Sequence, residues 1–203
     1  MTILFTGFDP FGGERVNPAF EAVRRLPGEI GGARIVKQEL PTVFGRAGEV
    51  LISAIERERP DAVICVGQSG GSAAIAVERI GVNLRDARSA DNAGRVATDE
   101  AIIPGGSGAY FATIPVKAIR DAITAAGIPA GLSTSAGLFV CNDVMYTLLH
   151  YAATRNPALR GGFIHVPYIP EQVDGKPEGT PSTALEEITR ALEIAARVVA
   201  EEV

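Results

Sequence analysis

The chain has 203 residues, a length that suits one domain with a proper core. Its hydrophobic fraction of 46% and net charge of −5 describe an ordinary soluble acidic protein, and no surplus of Lys and Arg forms a patch for nucleic acid. No apolar run approaches the roughly 20 residues that span a bilayer, so no membrane partner is expected.

In chain order, Ile3–Phe5 reads as a strand that breaks at Gly7 instead of extending into a signal peptide. Pro18 fits the first helical position behind an Asn17 cap, and the helix runs to Leu26 before Pro27-Gly28. A strand at Arg34–Leu40 and a helix from about Phe44 to Glu58 follow. Asp61–Val66 is a strand whose unbroken apolarity around Cys65 marks it as buried. The glycines from Gly67 to Gly71 lack the Gly-Lys-Ser/Thr of a nucleotide loop. Ile75–Leu84 alternates as one strand. A helix from Pro115 to Ala126 stops at Gly127. Another starts at Cys141 and ends before Asn156-Pro157, because the residue ahead of a proline is steered out of the helical region. Gly162–Val166 is a strand stopped by proline. After Pro181, Thr183 and Glu186 form a capping box for the last helix, whose Leu185, Ile188, Leu192, Ala195 and Val199 make a packing face. Segments 89–107 and 171–182, rich in Gly, Asp or Pro, are the expected mobile loops.

This alternation predicts an α/β fold: a single α/β/α sandwich over residues 1–203, built on a mixed, mostly parallel twisted sheet. Ligands of such sheets gather beyond the carboxyl ends of the strands. The segments at Gly7, Gly67, Cys141 and His165 all fall at or near such ends.

Cys141 places a thiol among the unpaired N–H groups of a helix N-terminus, which favours the thiolate. The same N–H groups stand ready for a developing oxyanion. A small buried hydrophobe is the alternative. A cysteine nucleophile needs a base, and the chain holds two histidines. His150, nine residues further along the helix, sits roughly 13 Å away along the axis and about half a turn round, out of reach. His165 differs. A helix of about 15 residues descends roughly 22 Å, and the returning strand at 3.3 Å per residue recovers most of that by His165. Cysteine and histidine thus meet at one edge of the sheet.

Glu78 would orient the imidazole. Within an Ile75–Leu84 strand it shares a face with Ile80, Val82 and Leu84, and a carboxylate in an apolar row is expensive unless paired. His165 would satisfy it as the acid of a triad does. An ion pair with Arg85 or Arg88 remains the alternative, whereas strand parity turns Arg79 away.

Several ordered segments carry a resemblance that covers nearly the whole chain. They are Phe5-Thr6-Gly7-Phe8-Asp9-Pro10-Phe11-Gly12-Gly13 with Asn17-Pro18, and Gly67-Gln68-Ser69-Gly70-Gly71. Glu78-Arg79-Ile80 with Asn83, and Asp91-Asn92-Ala93-Gly94, come next. Ala136-Gly137 with Cys141-Asn142, and His165-Val166-Pro167-Tyr168, complete the set. Together they resemble pyroglutamyl peptidase I, a family of cysteine peptidases. The resemblance implies a catalytic triad of Glu78, Cys141 and His165, with Arg88 near the oxyanion. It also implies a lactam pocket lined by Phe8, Phe11, Phe139 and Val140, with Asn17 and Gln68 nearby. The implied activity is removal of an N-terminal pyroglutamyl residue from peptides through a thioester, with no metal or other cofactor, by a homodimer or homotetramer.

Other features agree with that expectation. Two cysteines, one in a core strand, make no disulfide framework and suit a reducing cytoplasm. There is no Cys-x-x-Cys pair, and neither histidine has a metal-ligand neighbour at the usual spacing. Two rival readings stay open on the residues alone: a nucleoside phosphorylase or hydrolase on the same architecture, and a metabolite-binding or redox-sensing protein built around Cys141.

Overall fold

A computed structural model describes residues 1–202; Val203, the end of the expected domain, lies outside the described residues. In chain order the elements are β1 (Thr2–Phe8), α1 (Pro18–Arg25), β2 (Glu29–Ile30), β3 (Ala33–Leu40), α2 (Arg46–Glu58), β4 (Ala62–Gln68) and β5 (Ile75–Glu78). Then follow β6 (Ile80–Val82), β7 (Ala109–Phe111), α3 (Val116–Ala125), β8 (Ala130–Ser133), α4 (Val140–Arg155), β9 (Arg160–Val166), a 3₁₀ turn at Pro170–Gln172, and α5 (Leu185–Glu202).

The apolar runs in β1, β4 and β9 are buried on both faces, as the central strands of a covered parallel sheet must be. One seven-stranded sheet has the order β2-β3-β1-β4-β9-β5-β8. The four strands β3, β1, β4 and β9 run parallel, while β2 opposes β3 and the β5–β8 pair opposes β9. Helices α1, α3 and α5 cover one face, where Ile3, Phe5, Ile64, Val66 and Ile164 meet them. Helices α2 and α4 cover the other, over Leu4, Val63, Cys65 and Phe163. Strand periodicity accounts for this division, since odd and even positions of each strand feed opposite layers. The α/β/α sandwich with a mixed, mostly parallel sheet is therefore as expected.

Some boundaries differ. The expected strand Ile75–Leu84 is two strands: β5 ends at Glu78, and β6 leaves for a two-stranded ribbon with β7. The cause lies at Arg79, whose N–H goes to the Ser133 carbonyl while its own carbonyl accepts from Ala112. Asn142 then takes both the N–H and the carbonyl of Val82. The chain is thus handed from one sheet to another, and Glu78 does not share a row with Ile80, Val82 and Leu84. The short strands β2, β7 and β8 carry no strong pattern in sequence. The last helix starts at Leu185, two residues beyond Thr183, and the Glu186 carboxylate is directed to Arg25 at 2.7 Å, so the expected capping box is not the device used.

Segment 89–107 has little regular structure but is tied down. Buried Asp91 accepts from the backbone N–H groups of Phe44, Ala93 and Arg95, each at 2.9 Å. Asn83 exchanges two hydrogen bonds with the backbone of Ile103.

Candidate active site

Cys141 is the second residue of α4, behind an extended Phe139 and a turn in which Gly137 has φ 73°. A positive φ of that size is accessible to glycine at little cost. The first turn of α4 is held rigidly. Asn142, 1% exposed, accepts from the Val82 N–H at 3.0 Å and donates to the Val82 and Leu84 carbonyls at 2.9 Å. Asp143, fully buried, takes two bonds from Arg85 (2.9 and 2.7 Å) and one from the Gly45 N–H at 2.7 Å. Its charge also suits the positive end of the helix dipole. With its neighbours so anchored, Cys141 is left half-buried at the wall of a cavity.

Strand register brings the base to the same wall. His165 on β9 lies opposite Ala76 of β5 and Gly67 of β4. Glu78, two residues beyond Ala76, is its diagonal neighbour on the same face of the sheet. The Glu78 Oε1 stands 2.8 Å from His165 Nδ1, so the ring donates its Nδ1–H to the carboxylate and keeps Nε2 for the sulfur. The other carboxylate oxygen, Oε2, is buried and has no hydrogen-bond partner among the described residues. Phe163 packs its ring 4.7 Å from the imidazole, centroid to centroid.

Burial alone would oppose a charged imidazole. Cys141 and the Glu78 carboxylate overcome it and raise the pKa of His165 to about 9. The surroundings therefore favour the protonated ring of His165. Cys65 stands in contrast: it is buried one layer below, and its thiol is pushed up to about 12. Of the two thiols, only that of Cys141 reaches a cavity.

Cys141, Glu78 and His165 share a cavity of about 570 Å³ with Phe11, Gln68, Phe139 and the Ser133–Gly137 turn. That volume is in the range of small-ligand sites. Of the residues expected in the pocket, Phe11, Phe139 and Gln68 line it. Phe8 does not: it points from β1 into the α2/α4 layer, 2% exposed, with its ring 6.4 Å from Phe163. Val140 is likewise fully buried behind the cavity wall. Asn17 caps α1, accepting from the Ala19 N–H at 3.1 Å and donating to the Asp9 carbonyl. Its contribution is to fix the loop that carries Phe11. Arg88 is exposed and lies in a hollow with Asp86, Ala87 and Leu138, and Phe11 and Phe139 line both that hollow and the cavity of Cys141. Those two rings stand 6.1 Å apart.

His150 is half-buried further along α4, with Nδ1 3.2 Å from the Tyr110 hydroxyl and its ring stacked on Tyr146. Gly67, whose segment the sequence places at a strand end beside the site, lies opposite His165 in register. One residue that matters at the site has no signal in the sequence: Gln172 lies in a segment read as a loop.

Comparison with known proteins agrees with this geometry. Residues 1–202 match the family model described as Pyroglutamyl peptidase. The pyrrolidone-carboxylate peptidase of Enterococcus faecalis is 52% identical over 192 residues, covering 95% of this chain and 90% of its own length. That of Levilactobacillus brevis is 52% identical over 199 residues, covering 98% and 97%. The crystal structure of Bacillus amyloliquefaciens pyroglutamyl peptidase I matches with a TM-score of 0.96 at 48% identity, covering 99% of this chain and 97% of that one. A mutant pyrrolidone carboxyl peptidase from the hyperthermophile Pyrococcus furiosus matches with a TM-score of 0.96 at 47% identity, covering 100% and 99%. The chain belongs to the pyroglutamyl peptidase family of cysteine peptidases.

Proposed function

We propose that this protein hydrolyses the amide bond after an N-terminal pyroglutamyl residue of a peptide, as a cysteine omega-peptidase. The observation that carries this reading is the Glu78–His165 pair set beside Cys141 in one cavity of a chain that belongs to this family.

In this mechanism the Cys141 thiolate attacks the carbonyl that joins pyroglutamate to the next residue. The N–H groups at the start of α4 take the oxyanion. Arg88, in the hollow that shares Phe11 and Phe139 with this cavity, adds a positive field. His165, held by Glu78, gives its proton to the departing amine and leaves a thioester on Cys141. Water, deprotonated by His165, then releases pyroglutamate and restores the thiolate. The lactam is flat, uncharged and partly apolar, so it suits the rings of Phe11 and Phe139, with Gln68 reading its polar edge. An open glutamate side chain or a free α-amine would lose hydration in that pocket without a charged partner.

Cys65 and Cys141 are both free thiols, which suits a reducing cytoplasm. Assembly as a homodimer or homotetramer belongs to the same proposal, and light scattering of the purified protein decides it. The activity is tested with pyroglutamyl, prolyl and glutamyl amides, with and without iodoacetamide. Turnover of the first alone, lost on alkylation, supports the reading. Equal turnover of all three, or insensitivity to alkylation, overturns it.

A further inference from the structure

Gln172, at the end of the 3₁₀ turn, is 5% exposed, and both ends of its amide are engaged. Its Oε1 accepts from the Ile169 N–H at 3.2 Å. Its Nε2 donates to the Val16 carbonyl at 3.2 Å and to the Gln68 Oε1 at 2.9 Å, with a longer contact of 3.4 Å to Glu14. An amide can be turned end for end without changing shape, so its sense must come from its neighbours. Two neighbours here are backbone groups whose sense cannot change. The Ile169 N–H only donates, and the Val16 carbonyl only accepts. Oε1 of Gln172 therefore faces Ile169, and Nε2 faces Val16 and Gln68.

The consequence passes one residue further. Gln68, 9% exposed at the end of β4, must turn its oxygen to Gln172 and its NH₂ the other way. Gln68 lines the cavity that holds Cys141. Its Nε2 has no protein partner among the described residues and is not sealed away from solvent. It is a donor open to the cavity.

We propose that Gln172 is a positioning residue that sets the hydrogen-bond polarity of the pocket. It holds Gln68 as a donor, so the cavity selects a ligand with an acceptor oxygen at that point. On the pyroglutamyl reading, on which this identification rests, the acceptor is the lactam carbonyl. The geometry separates this role from plain capping of the turn. Glutamate and glutamine serve equally as the third residue that accepts the N–H at the start of a turn. Only glutamine can also donate to Gln68.

Gln172→Glu is therefore the discriminating variant. A carboxylate at 172 still caps Ile169 but draws the NH₂ of Gln68 towards itself, which leaves the Gln68 oxygen facing the lactam carbonyl. With a pyroglutamyl coumarylamide, KM should rise about tenfold or more, kcat should change less than about threefold, and alkylation of Cys141 by iodoacetamide should keep the wild-type rate. A wild-type KM in the folded variant would overturn the proposal. If the variant does not fold, the test moves to ¹⁵N-labelled wild-type protein titrated with 2-pyrrolidone. The Gln68 side-chain amide protons should shift on saturation, and saturable binding that leaves them in place overturns the proposal. Absence of wild-type turnover, by contrast, removes the parent reading and the lactam assignment with it.

Discussion

A β-carbon on Gly67 would stand 2.8 Å from the sulfur of Cys141 and 2.7 Å from Cζ of Phe163. The sulfur thus rests where any other residue at position 67 would begin its side chain. Because Gly67 lies opposite His165 in the β4–β9 register, this empty position lets the sulfur settle against the sheet beside the imidazole.

Gly67→Ala should therefore damage activity more than folding. Overpacking of this kind costs about 1–3 kcal/mol, which a domain of this size tolerates. A sulfur displaced by about 1 Å loses on the order of 10²-fold in rate. Thermal melting combined with kcat/KM on a pyroglutamyl amide checks both parts, and a folded variant with wild-type kcat/KM contradicts the packing argument.

Glu78→Gln keeps the shape of the side chain and removes its charge. Glutamine can still accept from His165 Nδ1 through its oxygen, but the ring loses the negative charge of the Glu78 carboxylate. We expect kcat/KM to fall by about 10²-fold or more. The His165 titration should move to lower pH, which the alkaline limb of the rate profile reports.

The pH dependence follows from His165. Its pKa is raised from 6.5 to about 9 in the fold, against the effect of burial, by Cys141 and Glu78. The stabilisation linked to that proton is fully present below the unfolded value of 6.5 and is lost as pH rises through about 9. Loss of the proton also removes the acid for the leaving amine, so kcat/KM should fall above about 9. Cys141→Ala removes the strongest raising influence, and NMR of the imidazole should show its titration moved down. An unmoved titration contradicts the influence assigned to Cys141.

Sequence legibility was uneven, for physical reasons. Cys141 at a helix start and His165 near a strand end follow from local geometry: a capped helix, a proline stop and known rises per residue suffice to bring them together. The sequence points to Glu78 through a row of alternating residues that the structure breaks at Arg79. Its partnership with His165 instead comes from the antiparallel β5–β9 register, which depends on pairing between segments 87 residues apart. Strand β8, Ala-Gly-Leu-Ser, has almost no strand propensity and is fixed by its neighbour β5. Phe8 and Val140 were expected in the pocket, but one falls on the layer-facing parity of its strand and the other on the core side of its helix. Gln172 was invisible because its importance lies in the fixed sense of two backbone groups, one of them distant in the chain.

The pair Arg85–Asp143 supports the site from beneath. Asp143 is fully buried and Arg85 is nearly so. Asp143→Ala strands the guanidinium and frees the Gly45 N–H, so it should cost about 3–5 kcal/mol. Denaturant unfolding measures this. A loss below about 1 kcal/mol, the value of a surface pair, contradicts the structural role assigned here.

The most direct test of the central claim is the rate at which Cys141→Ser releases a chromophore from a pyroglutamyl amide, compared with wild type in the same assay. Wild type should turn over, and the folded serine variant should show no release above background. Undiminished release by Cys141→Ser would contradict the assignment of that sulfur as the nucleophile.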